Sequence, residues 1–184
     1  MVSFSCEEEV EGGRLLRSLN GILPNDVSVV RVEAAVEGFD ARRDALSRTY
    51  CYRVLARAAN SPFLRGRALW WPHRLDLDLL RKCAGMVAGT HDFTAFTPTQ
   101  TEHVRFERDV LSAEWRPSGD LLEFWIEADT FMRHMVRVLV GTMLEVAGGR
   151  RDLEQFESLL HGAERIQAGP TAEPNGLSLE RVRY

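Results

Sequence analysis

The longest stretch of the chain with almost no polar position runs from Phe131 to Ala147. A helix that is apolar on nearly every face is a buried one, so the pattern predicts a core helix here. Asp129 or Thr130 would cap its start, and Gly148 with Gly149 would end it. Arg133 and Arg137 interrupt the run four residues apart, which on one helix places them on a common face with Gly141. A guanidinium cannot discharge itself to enter a core. A buried Arg137 therefore needs compensation, and two readings follow. It is either a structural arginine tied to a carboxylate or to carbonyls, or it holds a functional anion at the floor of a cleft.

Shorter patterns flank this helix. Residues 2–6 alternate like the end of a strand, and the acidic run Glu7 to Glu11 reads as a solvated turn or a helix start. Leu15, Leu16, Leu19, Ile22 and Leu23 share a helical face, which Pro24 terminates. Residues 27–34 read as a strand and 39–47 as a polar connector. Residues 49–57 form a second strand with Tyr50, Tyr52, Val54 and Ala56 on one side. Residues 60–72 make a loop anchored by Trp70 and Trp71. Asp76 caps a helix that buries Leu77, Leu80, Cys83, Ala84 and Val87 and stops at Gly89. Residues 91–96 are turn-like, and 97–103 form a hydroxyl-rich loop. A hairpin then places Leu111, Ala113 and Trp115 inward on its first strand and runs straight into the apolar helix. Asp152 and Gln155 have capping-box spacing for a helix over 152–161, and after a loop residues 177–184 close the chain as a strand. Helices that do not alternate with each strand favour an α+β fold with a largely antiparallel sheet flanked by helices.

Composition narrows the chemistry. The net charge of −4 over 184 residues argues against a strongly basic nucleic-acid binder. Lys82 is nevertheless the only lysine among 23 basic residues, and arginine forks suit planar contacts to phosphate or carboxylate. Cys6, Cys51 and Cys83 are scattered and odd in number, as expected of a reducing, cytoplasmic compartment without a disulfide frame. No apolar run is long enough for a membrane span. The five histidines have no ligand spacing, so no metal site is expected, and no phosphate-loop, dinucleotide or hydrolase motif occurs. Asp40, Asp44, Asp92 and Asp109 all fall in loops or turns, where a surface carboxylate is the default.

Five stretches carry more information together than singly: FDAR at 39–42, RTYCY at 48–52, GTHDFTAF at 89–96, FMRHMVRVLVGTM at 131–143 and AGPTAEPNGLSL at 168–179. In order and spacing they resemble the tRNA pseudouridine synthase A family over essentially the whole chain, and LNGILPND at 19–26 resembles a further family segment. The resemblance implies the pseudouridine synthase fold and a cofactor-free, metal-free isomerase that acts as a homodimer. Its substrate would be uridine at positions 38 to 40 of the tRNA anticodon arm. It also implies that a catalytic aspartate attacks the target nucleotide, that Tyr50 stacks on the flipped uracil, that Arg137 pairs with the aspartate, and that Leu177 packs near the base. Extrusion of the base must precede chemistry on its glycosidic bond, and an aromatic ring is its natural platform.

One family feature has no counterpart in these residues. The aspartate belongs to a GRTDAGVHA-like loop just upstream of a strand resembling residues 2–6, and Asp40 cannot replace it because FDAR matches the family's own FxAR stretch. The expectation is therefore a family member lacking its first part, with 1–38 the remainder of the N-terminal half and 39–184 the C-terminal half. It would be inactive as written, with no catalytic aspartate of its own. The alternative is a non-catalytic fragment that binds tRNA.

Overall fold

A computed structural model describes residues 1–6, 10–101 and 103–184. The chain divides into two compact units, Met1–Ala45 and Leu46–Tyr184.

The smaller unit contains one helix, α1 (Gly12–Ile22). Glu11 caps it by accepting hydrogen bonds from Gly13 N and Arg14 N at 3.0 and 2.8 Å, and Leu23 ends it just before Pro24. The acidic residues 7–9 lie outside the described residues. Neither 2–6 nor 27–34 is a strand, contrary to the alternation of their side chains. In 27–34 the backbone polar groups of Val29 bond the side-chain amide of Asn20, at 2.8 and 2.9 Å, rather than a neighbouring strand. A side-chain amide that mimics a strand partner competes directly with ladder formation.

The larger unit is a six-stranded sheet with helices on one face. Its strands are β1 (Ser47–Leu55), β2 (Leu69–Trp70), β3 (Gly89–Asp92), β4 (Glu107–Ser118), β5 (Leu121–Ala128) and β6 (Leu177–Arg183). The order is β2-β1-β5-β4-β3, with β6 also on β1. Every pairing is antiparallel except β1 with β2. The strand β1 is the hub. β5 runs along its full length, while its other edge is divided between β6, opposite Ser47 to Tyr52, and β2, opposite Val54 and Leu55.

On the helical face lie α2 (Leu77–Val87), α3 (Met135–Ala147) and α4 (Leu153–Ser158). The caps foreseen at Asp76 and at Asp152 with Gln155 are present. Residues 91–96, expected to be turn-like, instead complete the edge strand β3 and form a short 3-10 turn. Positive φ at Gly89 (106°) permits the abrupt change from helix to strand. In β4, Leu111 was expected inward with Trp115 but is 51% exposed. A register shift between Val110 and Ser112 against β5 flips the alternation, so Val110 and Trp115 point into the core instead.

The central helix keeps only Arg137 and Glu145 partly exposed among its 13 residues. It begins four residues later than its apolar pattern, because His134 adopts a left-handed backbone at φ 63° and serves as the N-cap. Arg133 therefore precedes the helix, is exposed, and does not share a face with Arg137. Gly141 does. The segment 168–172 lies so close along this face that a methyl group at Gly141 would land on the carbonyl oxygen of Pro170.

Two mid-helix glycines should consequently respond with opposite sign to the same substitution. Gly85 in α2 has open space around it, so Gly85→Ala should raise unfolding stability by about 0.5–1 kcal/mol. Gly141→Ala should lower it by roughly 1–3 kcal/mol through overpacking, and thermal denaturation of both variants measures the contrast.

Candidate active site

Alternation along β1 turns Tyr50, Tyr52 and Val54 toward α3 and Arg53 toward the other face. On that other face Arg53 bridges Glu123 at 3.2 Å and Glu180 at 2.9 Å. Tyr52 is fully buried, and its hydroxyl donates to the Glu173 carbonyl at 2.7 Å. Burial pushes that hydroxyl's pKa up, and the charge of Arg137 offsets part of the rise. Tyr50 is only partly buried. Its ring meets Phe131 edge to face, with centroids 5.1 Å apart and planes at 87°.

Arg137 occupies the first turn of α3, which packs directly on β1. Its Nε donates to the Ala172 carbonyl at 2.6 Å, and the Ala172 N–H returns a bond to the Arg137 carbonyl at 3.1 Å. Among the described residues the guanidinium has no carboxylate partner. Within the structural reading of this arginine, the tie to a carbonyl is therefore present and, among the described residues, the tie to a carboxylate is not.

The segment 168–177 forms the wall opposite. Gly169 N donates to Thr142 Oγ1 at 3.0 Å, and Thr142 in turn donates to Val138 O at 2.7 Å. A Cβ on Gly176 would stand 2.7 Å from the Tyr52 ring, so glycine alone fits there. Leu177 follows, partly buried, with Tyr52 as its cross-strand neighbour on β1. Tyr50 instead faces Leu179, which is 49% exposed. Contacts thus tie Tyr50 to Phe131 and Leu179, Leu177 to Tyr52, and Arg137 to Ala172. Ala172 and Thr142 carried no signal beyond the motif stretches that contain them, because one acts through its backbone and the other sits in an apolar run.

Positive charge gathers at the start of α3. Burial foremost, then the charges of Arg137, Arg133 and Arg165, hold the His134 imidazole below its ordinary pKa. Other reactive groups are occupied elsewhere. Burial pushes the thiols of Cys51 and Cys83 up to about 12, so neither is a thiolate at neutral pH. Asp40 caps its own turn by accepting from Arg42 N and Arg43 N, both at 2.8 Å, and these bonds hold its pKa down. Asp92 serves Thr94 in the same manner, and Asp44 accepts from Asp40 N.

A family model described as tRNA pseudouridine synthase matches residues 84–184, more than half of the chain. The chain belongs to the tRNA pseudouridine synthase family. Members are isomerases, and the antiparallel sheet flanked by helices is the arrangement the sequence motifs implied. The tRNA pseudouridine synthase A of Bacillus pumilus is 37% identical over 167 residues, covering 91% of this chain and 68% of its own length. That of Myxococcus xanthus is 42% identical over 168 residues, covering 90% of this chain and 63% of its own length. That of Thermus thermophilus is 36% identical over 182 residues, covering 97% of this chain and 71% of its own length. Among the described residues no helix is long and apolar enough to cross a membrane.

The depressed pKa of His134 has a definite sign. Below its ordinary value of 6.5 the unfolded chain takes up a proton before the folded one does, so its contribution to stability falls as pH drops from there through the folded pKa. His134→Asn, which tolerates the left-handed backbone, should flatten that part of the stability–pH curve. Urea titrations of both proteins between pH 7 and 5 measure the difference.

Proposed function

We propose that this chain supplies the base-holding side of a tRNA pseudouridine synthase site that acts in the cytoplasm on uridine in the anticodon arm. In this reading the half-exposed ring of Tyr50, braced by Phe131, is the platform for the extruded uracil. Leu177 extends the apolar wall toward Tyr52. Arg137 faces the aspartate that attacks the nucleotide, keeping that carboxylate ionised and aimed. The observation that carries the reading is Arg137 itself, a partly buried cation oriented by a neutral carbonyl and set beside the strand that bears Tyr50. The relatives' names support tRNA as the substrate, and the homodimer is what the resemblance of the sequence motifs implies.

A second feature bears on activity. Residues 1–184 contain no GRTDAGVHA-like stretch, and covalent catalysis without its nucleophile does not proceed. The 184-residue polypeptide is therefore expected to bind the anticodon arm without turning it over.

Tritium release from an anticodon stem-loop labelled at uridine C5 should stay at background with the purified chain, and measurable turnover would overturn the inactive reading. Filter binding of the same RNA should weaken steeply with salt. Tyr50→Ala should cost about tenfold in affinity or more, in line with roughly 1–3 kcal/mol per stacked base. Equal binding by wild type and Tyr50→Ala would remove Tyr50 from the site.

A further inference from the structure

The guanidinium of Arg137 is held by one carbonyl, so whatever fixes that carbonyl fixes the cation. Ala172 ends the strap 168–172, which lies along the face of α3 formed by Arg137, Gly141, Thr142 and Glu145. On the helix side the strap is secured by close approach. Gly169 sits where a Cβ would be 2.8 Å from Thr142 Cα, and its N–H bonds the Thr142 hydroxyl. Three of the strap's acceptors face a single side chain. Arg165 Nη1 donates to the Gly169 carbonyl at 3.0 Å, with the Ala168 carbonyl further off at 3.5 Å, and Nη2 donates to Thr171 Oγ1 at 3.1 Å. Among the described residues Arg165 has no carboxylate partner, and burial holds its pKa below the usual arginine value. A partly desolvated cation whose fork is spent on positions 168, 169 and 171 of one loop is an expensive way to hold a surface turn. Its geometry is suited to fixing the direction in which that loop's next carbonyl points.

We propose that Arg165 is a positioning residue for Arg137: by gripping Gly169 and Thr171 it fixes the Ala172 carbonyl that orients the Arg137 guanidinium. The functional weight of this rests on the reading of Arg137 given above. The geometric claim stands apart from it.

The test follows the Nε–H proton of Arg137 by NMR in the full 184-residue chain, with Arg137→Lys to assign the signal. Arg165→Met should accelerate exchange of that proton on the order of tenfold, while the Gly169 amide and the α3 amides keep their protection. Arg165→Lys, which retains the charge but loses the fork, should fail to restore slow exchange. Exchange at Arg137 within about twofold of wild type in a folded Arg165→Met protein overturns the proposal. So does an equal loss of protection at Arg137, Gly169 and α3, because Arg165 would then support the fold rather than the guanidinium. If Arg165→Met does not fold, Thr171→Val replaces it. That variant removes only the Nη2 acceptor and should speed exchange about threefold or more, and no change again overturns the proposal. A wild-type chain that fails to bind RNA yet shows the Arg165 effect would reject the proposed function and leave the positioning role standing.

Discussion

Everything at this end of the molecule depends on placing a permanent charge in the first turn of an otherwise apolar helix. An arginine there cannot be neutralised, and leaving it unaligned in a half-dry site is costly. The fold answers with the reciprocal pair between Arg137 and Ala172, one bond from side chain to backbone and one from backbone to backbone. This satisfies the Nε donor without cancelling the charge. A carbonyl orients a cation but leaves its field intact.

That pair is possible only because backbone approaches backbone. Gly141 and Gly169 remove the side chains that would otherwise separate α3 from the strap, and Gly176 does the same over Tyr52. In each case the glycine is set by what touches it rather than by an unusual backbone angle. The strap therefore has little freedom to shift, since its spacing to α3 is set by van der Waals contact and its polar groups are assigned to Thr142 and Arg165.

Much of this was legible in the sequence. The long apolar run announced α3, capping residues announced α2 and α4, and the alternation of β1 placed Tyr50 and Tyr52 on one face of the strand. The misses share a physical cause, which is that side-chain pattern does not report backbone partners. Residues 27–34 have the pattern of a strand, but Asn20 occupies the polar groups of Val29. The bulge in β4 inverts the pattern partway along, exposing Leu111. The left-handed His134 cuts the helix short, so Arg133 and Arg137, neighbours by spacing, do not share a helical face. At the site, Arg137 was visible because a charge in an apolar run is conspicuous. Ala172 and Arg165 were not, because one works through its carbonyl and the other lies in a polar turn.

The pairing of β1 with β6 joins the opening strand of the larger unit to its closing one, and Leu46 N donates to Arg183 O at 2.8 Å. More than a hundred residues separate these partners in sequence, the widest separation of any strand pairing in the sheet. During synthesis β1 emerges long before β6 exists, and Tyr50 lacks its Leu179 neighbour until translation reaches the final residues. The ring of Tyr50 is thus made well before the neighbour that pairs with it.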